Sequence, residues 1–294
     1  MRSRSLARVG MAIVAVSGVI TLGCGKPPSA PSPSQMPPPP PPPPFDLDAQ
    51  SAQQRAAFAL FVAAGVHAGA TTSAITLATE GGKVWTDGPC AFEGGSMRAS
   101  LDGGLPPPKG TFLPTGSHTY EVSFSKCDLG WGGEIGLNGV ASAAYNAATW
   151  SNVTATVSAD SVRAYGLDYQ GVLLDVTAHG SAVWTESSNG STYTPATGSR
   201  LVNNSTGNVA TFGGGSYSTT SSSKREWRFE GLKVAINGTE YTLAGSHDWT
   251  QQPNGSSTYT GEIRITSHGT LVARIYGDAR SARIIEVLGP LVPF

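Results

Sequence analysis

Charged side chains are scarce in this chain of 294 residues, since Asp, Glu, Lys and Arg together make up 13% of it. Glycine occurs 37 times, and serine and threonine are frequent throughout. Low charge with many Ser and Thr is typical of β-proteins outside the cytoplasm, where these residues fill solvent-facing strand positions. The chain also has no cluster of Lys or Arg that could follow a phosphate backbone. This absence argues against nucleic acid as a partner.

The first apolar run of the chain is too short to span a membrane. Val9 to Leu22 are 14 residues without a charge, whereas a transmembrane helix needs about 20 apolar residues. Arg2, Arg4 and Arg8 precede this run, which gives the segment the basic and apolar parts of a secretory leader. Residues 1–23 are therefore predicted to be a signal peptide. Its removal would leave a chain with a net charge of about −4.

Cysteine is also rare, and the first of the three cysteines directly follows this apolar run. The stretch Thr21-Leu22-Gly23-Cys24 resembles the lipobox of bacterial lipoproteins, whose cysteine becomes a lipidated N-terminus. Leu22 and Gly23 fit that pattern, and Thr21 departs from its usual Leu or Val. The resemblance implies that Cys24 carries several acyl chains, which anchor an exported protein stably in a membrane of the cell envelope. The alternative is ordinary secretion, with Cys24 left as a free thiol.

The residue after this cysteine bears on the choice of membrane. An Asp at that place resembles an inner-membrane retention signal of some Gram-negative bacteria, whereas this chain has Gly25. The outer membrane is therefore the expected location.

Proline is concentrated in the segment that follows. Pro37 to Pro44 form an unbroken run of eight, which favours polyproline II and would extend over roughly 25 Å. Residues 24–47 are thus predicted to be a stiff tether that holds a domain away from the bilayer. The alternative is a ligand for a proline-binding domain, although such domains are mostly cytosolic.

One helix is predicted, over residues 48–69. Its start could be capped by Asp46, Asp48 or Ser51, and its end could lie at Gly65 or Gly69. The apolar face suits packing on a sheet, and its residues recur at helical spacing: Phe58, Phe61, Val62, Gly65 and Val66.

Residues 70–294 show β-strand patterns throughout. Tyr120, Val122 and Phe124 alternate with polar residues and so share one face of a strand. The predicted fold is all-β and mainly antiparallel, either a single large curved sheet or an open half-barrel of about 10 to 12 strands, with the helix packed on it. Hairpin turns are predicted at four dipeptides: Asn138–Gly139, Asn189–Gly190, Asn237–Gly238 and Asn254–Gly255.

An internal repeat lies within this β region. Gly166 to Thr185 aligns without gaps on Gly231 to Thr250, and both copies begin with Gly-Leu and end with Gly-Ser-x-x-Trp-Thr. Phe124 to Tyr145 is a weaker third copy, so the repeat predicts a hairpin unit that is used two or three times in one sheet. Its later glycine, on the same face as the Trp, leaves room for a neighbouring strand or a bend.

Cys90 and Cys127 remain once Cys24 is assigned to a lipid. In an oxidising compartment such a pair is usually a disulfide, and closing this loop would stabilise the fold by about 3 to 4 kcal/mol. A metal site or a catalytic thiol is the alternative. The sequence supports neither, because no His stands at zinc-ligand spacing and no Cys, His and Asn arrangement occurs.

Three motifs carry a wider resemblance: "PCAFEGGSMRASLDGG", "YEVSFSKCDL" and "GLNGVASA". Together they resemble a set of uncharacterised β-rich bacterial lipoproteins, over residues 58 to 275. This resemblance implies an all-β protein of the cell envelope. It implies no activity, substrate or cofactor.

Residues with catalytic or metal-binding patterns are not found in the sequence. The five histidines form no metal motif, and a capping role is expected for His67, whereas His247 is expected on a strand surface. The segment Gly213 to Ser216 lacks the Lys of a phosphate loop, so a flexible turn is expected there. The six Trp residues are predicted to pack within the fold, with a carbohydrate platform as the alternative.

These patterns favour a non-enzymatic envelope protein with a binding or structural role, and no catalytic, cofactor or metal residue is predicted. The alternative function is a carrier of an apolar ligand, such as a lipid, in a half-barrel cavity. A hydrolase of envelope polysaccharide is the least favoured function, because no pair of carboxylates stands out.

Overall fold

The computed structural model describes residues 50–79, 88–89, 95–105, 108, 111–128, 134–167, 173–220, 224–251, 257–277 and 283–294. Pro41–Phe294 belong to one compact unit. The predicted signal peptide, the tether, Cys24 and Cys90 lie outside the described residues.

In the described part of the chain, one helix precedes fourteen strands. The elements are α1 (Ala52–Thr79), β1 (Gly88–Pro89), β2 (Ser96–Leu101), β3 (Gly116–Asp128), β4 (Glu134–Thr149), β5 (Asn152–Leu167), β6 (Leu173–Ser187), β7 (Gly190–Pro195), β8 (Arg200–Asn203), β9 (Val209–Thr220), β10 (Lys224–Ile236), β11 (Thr239–Gln251), β12 (Ser257–Ser267), β13 (Thr270–Gly277) and β14 (Arg283–Val287).

All fourteen strands belong to one antiparallel sheet. Strands that follow each other in the chain are neighbours in the sheet, except that β7 pairs with β9 while the short β8 pairs with both β6 and β9. The all-β, antiparallel prediction is confirmed. The strand number exceeds the predicted 10 to 12, because strands as short as β1 and β8 show no alternation that a sequence pattern could reveal.

Helix α1 lies against the inner face of this sheet. It contacts strands from well-separated parts of the path, from β3 to β6 and again at β13 and β14. A sheet that meets one helix in both places must curve around it. Among the described residues no pairing joins β14 to the first strands, so the sheet stays open.

The core fills the space between α1 and the curved sheet. The helix contributes Phe58, Leu60 and Phe61, each no more than 4% exposed. The alternating strand residues Tyr120 and Val122 face them with exposures of 2% and 0%. Burial of apolar surface on this scale is the main stabilising contribution to such a fold.

The start of α1 is capped by Ser51. The Ser51 hydroxyl accepts a hydrogen bond from the Gln54 amide at 3.2 Å, and the Gln54 side chain accepts one from the Ser51 amide at 2.9 Å. This reciprocal pair is a capping box. It satisfies backbone N–H groups that the first turn of a helix leaves without a partner.

The end of α1 differs from the prediction, because the helix passes Gly65 and Gly69 and reaches Thr79. The hydroxyl groups of Thr71 and Thr72 donate to the carbonyl oxygens of His67 and Ala68, at 2.8 and 2.7 Å. Their hydroxyls are thereby satisfied inside the helix, and packing against the sheet outweighs the low helix propensity of the glycines.

By length and composition α1 would also qualify as a membrane span. The segment Ala52–Ala74 contains an apolar stretch with a mean hydropathy of 1.3, yet 67% of that stretch is buried within the fold. A helix that is apolar on all sides is expected either in a protein core or in a bilayer. Here it lies in a core.

Two of the predicted hairpin turns are confirmed. Asn237–Gly238 joins β10 to β11 with positive φ angles of 48° and 88°, as a type I′ turn requires. Asn189–Gly190 lies at the turn between β6 and β7. Asn138–Gly139 instead lies within β4, where the pairing register shifts, and Asn254–Gly255 lies outside the described residues.

A glycine-rich segment also differs from its prediction. Gly213 to Ser216 are part of strand β9 and not a flexible turn. The pairing of β9 with β10 shifts between Glu230 and Lys233, so these glycines accommodate a bulge.

The two copies of the internal repeat occupy equivalent hairpins. The first copy ends in β6 and the second in β11, and their glycines Gly180 and Gly245 have φ angles of 105° and 112°. A Cβ atom on Gly245 would lie 2.2 Å from the carbonyl oxygen of Glu262 on the adjacent strand. Both the φ angle and this close approach therefore require glycine.

Candidate ligand-binding groove

A groove with a volume of about 770 Å³ opens beside α1. It lies between the helix, parts of β5, β6 and β8, and the last residues of the chain, Pro293 and Phe294. Its volume falls within the range of sites that hold small molecules. We call it the helix groove.

One side of α1 forms the apolar floor of the helix groove. The spacing of these residues follows successive helical turns, so they line a continuous stripe on one side of the helix. Most are alanines, which keep the stripe low and leave open space above it: Ala52, Ala56, Ala59, Val62, Ala63 and Val66.

An ion pair forms part of the opposite wall. Arg163 donates from Nε to Oδ1 of Asp175 at 2.8 Å and from Nη2 to Oδ2 at 2.9 Å. Asn204 donates a further hydrogen bond to Oδ1 at 2.8 Å. The bonds from Arg163 and Asn204 hold the pKa of Asp175 below its usual range. The carboxylate therefore stays ionised and fully engaged.

Apolar and amide side chains complete that wall. Tyr165 lies beneath the Arg163 guanidinium, with 5.5 Å between the guanidinium carbon and the ring centroid. Val176 and Leu201 are buried, with exposures of 3% and 1%, and Asn203 adds an amide. The wall thus combines apolar surface with a few polar groups.

The C-terminal residues hold the helix beside the groove. Gln53 donates to the carbonyl oxygen of Leu291 at 3.1 Å and accepts from its amide at 2.7 Å. Gln54 donates to the carbonyl oxygen of Ile285 in β14 at 2.8 Å. These contacts fix the first turn of α1, which carries the groove residues Ala52 and Arg55.

A buried histidine lies further along α1. His67 is 0% exposed, and its Nδ1 is 2.6 Å from the Tyr193 hydroxyl, which is in turn 2.8 Å from the Thr71 hydroxyl. Its Nε2 is 3.2 Å from the carbonyl oxygen of His179. Burial lowers the pKa of His67 to about 4, so the ring is neutral near pH 7. The predicted capping role is wrong, because the helix continues past this residue.

A second buried cluster surrounds Arg283 on β14. Its guanidinium carbon is 4.6 Å from the ring centroid of Tyr259, 5.5 Å from that of Phe58 and 5.6 Å from that of Trp227. Arg283 is 8% exposed. Cation–π contacts of this kind compensate part of the cost of desolvating a buried charge.

His247 packs in the same cluster. The prediction of a strand-surface histidine is wrong, since His247 is 0% exposed and stacks on Trp227 at a centroid distance of 6.3 Å. Among the described residues neither ring nitrogen has a hydrogen-bond partner. Burial and, to a lesser extent, the Arg283 charge lower the pKa of His247 to about 3. The ring therefore stays neutral.

The residues predicted from the sequence to have special roles do not form a common site. Cys127 is buried in β3 at 1% exposure and does not line the helix groove, and Cys90 lies outside the described residues. Trp150, Trp184 and Trp227 pack in or against the core, which confirms the packing prediction for these three. Within the described parts of the chain, no group of His, Cys, Asp or Glu could hold a metal ion.

The sequence prediction missed the residues of the helix groove. Arg163 and Asp175 are not adjacent in the sequence, and their contact depends on the pairing of Tyr165 with Asp175 across β5 and β6. The sequence signal that could have revealed them is the apolar character of the α1 side opposite Phe61. Ala52, Ala56 and Ala59 make that side apolar where solvent would favour polar residues.

Comparison with protein-family models, with curated proteins and with solved structures finds no match for this chain. The resemblances noted in the sequence therefore stay predictions. The functional proposal rests on the groove and on the N-terminal sequence.

Proposed function

We propose that this protein is an exported, lipid-anchored protein of the cell envelope that binds a small apolar or amphipathic molecule in the helix groove. The groove itself is the observation that supports this proposal most. It has the volume of a small-molecule site, an apolar floor on α1 and a few polar groups on its walls. The α1 residues Leu60 and Phe61 are buried in the core, so the proposed carrier function concerns this groove.

The proposed function is binding without catalysis. Asp175 is the single side-chain carboxylate among the described groove residues, and Arg163 and Asn204 already engage it. A glycoside hydrolase would need two carboxyl groups that face each other across a cleft. This arrangement favours binding over hydrolysis.

The proposed anchor is the acylated Cys24, followed by the proline-rich tether of residues 24–47. Replacing Cys24 with alanine is expected to move the protein from the membrane fraction to the soluble fraction and to remove the mass of the acyl chains. Fractionation and intact mass spectrometry of both forms measure this. The Cys24→Ala protein could instead stay in the membrane and differ in mass from the unchanged protein only by the substitution. This result would show that the anchor lies elsewhere.

The proposed disulfide joins Cys90 and Cys127. Its support is the exported location that the leader predicts, together with the complete burial of Cys127 in β3. Digestion of the membrane-extracted protein without reduction is expected to release a linked peptide with both residues. Recovery of two separate thiol peptides would contradict the pairing.

The proposed binding site is tested by filling the groove. Replacing Ala59 with phenylalanine places a bulky ring on the groove floor and is expected to lower the affinity for a fluorescent long-chain probe by at least about ten-fold, since the ligand loses its space. Ala144→Phe adds the same ring at an exposed position on β4, outside the groove, and serves as control. Equal probe binding by both variants would place the ligand site outside the helix groove.

A further inference from the structure

The helix groove carries an uneven distribution of charge. Three of its described residues have charged side chains, namely Arg55, Arg163 and Asp175. The pair of Arg163 and Asp175 is joined by two hydrogen bonds of 2.8 and 2.9 Å. Because a bidentate pair of this kind satisfies both partners, Arg55 supplies the remaining side-chain charge among the described groove residues.

Arg55 is exposed in the first turn of α1, at one end of the groove floor. Its Nη1 donates to the carbonyl oxygen of Gln50 at 2.6 Å. In the described part of the chain no carboxylate lies within 4.0 Å of its guanidinium group. A guanidinium held by a single carbonyl oxygen retains free N–H donors for a carboxylate.

The position of Arg55 in the helix also bears on its role. The first turn of α1 contains no acidic residue, although negative charge is favoured there and positive charge is disfavoured by the helix dipole. Arg55 therefore does not stabilise the isolated helix. Its position at one end of the groove floor instead suits contact with a ligand in the groove.

The apolar floor extends away from this charge. From Ala52 to Val66 the floor follows α1 over roughly 21 Å, at about 1.5 Å per residue. It therefore offers a long, narrow apolar surface with a cation at one end. The matching ligand has one unbranched apolar chain and one anionic group at its end.

We infer that the helix groove binds a long-chain carboxylate, with the chain along the α1 floor and the carboxylate at Arg55. A single negative charge matches Arg55, the one cationic side chain among the described groove residues that is not in an ion pair, whereas a doubly charged phosphate would leave one charge without a partner. The inference rests on the proposed function, because it names the ligand class of the same groove.

The test compares palmitate with hexadecanol, two ligands that differ only in the head group, which is a carboxylate in the first and a hydroxyl in the second. Equilibrium dialysis of radiolabelled palmitate and of hexadecanol uses the full chain with Cys24→Ala, which is expected to be obtained without detergent. Palmitate is expected to bind about ten- to a hundred-fold more tightly than hexadecanol, the difference that a charge-assisted hydrogen bond supplies. Arg55→Gln is expected to remove this preference while the affinity for hexadecanol stays unchanged. Arg200→Gln, an exposed arginine of β8 outside the groove, is the matched control.

The outcomes separate the inference from the proposed function. Equal affinity for palmitate and hexadecanol, or a preference that survives Arg55→Gln, would overturn the inference and leave the groove as a site for apolar ligands. If neither palmitate nor hexadecanol bound, both the inference and the proposed function would be overturned. Because Arg55 is exposed, its replacement is expected to leave thermal unfolding unchanged, and a melting curve of each variant checks this.

Discussion

Replacement of Phe61 by alanine is expected to lower the free energy of unfolding by about 3 to 5 kcal/mol, the range for a large aromatic side chain lost from a core. Phe61 is 4% exposed. Its ring centroid lies 5.2 Å from that of Trp227, 5.7 Å from that of Phe229 and 5.8 Å from that of Phe58. The side chain thus joins α1 to β10, and its removal leaves a cavity between the helix and the sheet.

The neighbouring residue provides the matched control. Val62 is half-buried and faces the helix groove, so Val62→Ala removes less buried surface and is expected to cost about 1 kcal/mol. Urea unfolding followed by tryptophan fluorescence measures both values. Equal losses for the two variants would mean that the contact of α1 with the sheet does not depend on the aromatic cluster.

Acidification is expected to destabilise the fold before most carboxylates titrate. In the folded state burial lowers the pKa of His67 to about 4 and that of His247 to about 3, both from an ordinary value of 6.5. Below pH 6.5 the unfolded chain therefore binds protons that the folded chain does not bind, so the free energy of unfolding falls as the pH falls. Between pH 7 and pH 4.5 the loss is roughly 2 to 3 kcal/mol from each histidine.

Urea unfolding at a series of pH values measures this loss. His67→Gln keeps a polar group beside Tyr193 but removes one titrating group, so the variant is expected to show a shallower decline toward acid. His268→Gln, at an exposed turn between β12 and β13, is the control and is expected to follow the wild-type curve. A wild-type stability that is constant from pH 7 to pH 4.5 would contradict the burial of neutral imidazoles.

The two buried histidines show where sequence patterns stop being informative. His67 stands near glycines that could have ended a helix, and His247 stands beside an Asp in a strand that alternates. Neither local pattern identifies the distant residues that contact the histidine ring in the fold. Tyr193 lies 126 positions from His67 in the sequence, and Trp227 and Arg283 approach His247 through the order of strands in the sheet. Burial of these rings follows from packing and not from local propensity.

The asparagine-glycine pairs illustrate the same limit on a smaller scale. Asn237–Gly238 forms the predicted turn, because two residues of positive φ match the twist of the flanking strands. Asn138–Gly139 has the same composition and lies inside β4, where the Asn138 side chain accepts a hydrogen bond from the amide of Lys126 on β3 at 2.6 Å. Whether an Asn-Gly pair forms a hairpin turn or a bulge within a strand therefore depends on its contacts with the neighbouring strand.

The sequence by itself determined the class of fold, the existence of one packed helix, the hairpin repeat and the antiparallel arrangement, because alternation and helical spacing record which side of each element is buried. It also supplies the predictions of a leader, of lipidation at Cys24 and of the Cys90–Cys127 pair, which depend on local motifs. Only the tertiary structure decided which strands meet α1, that the helix continues past Gly69, and that one apolar side of α1 faces a groove. Those features depend on contacts between distant residues, such as Gln53 with Leu291 and Arg163 with Asp175, and no local pattern encodes them.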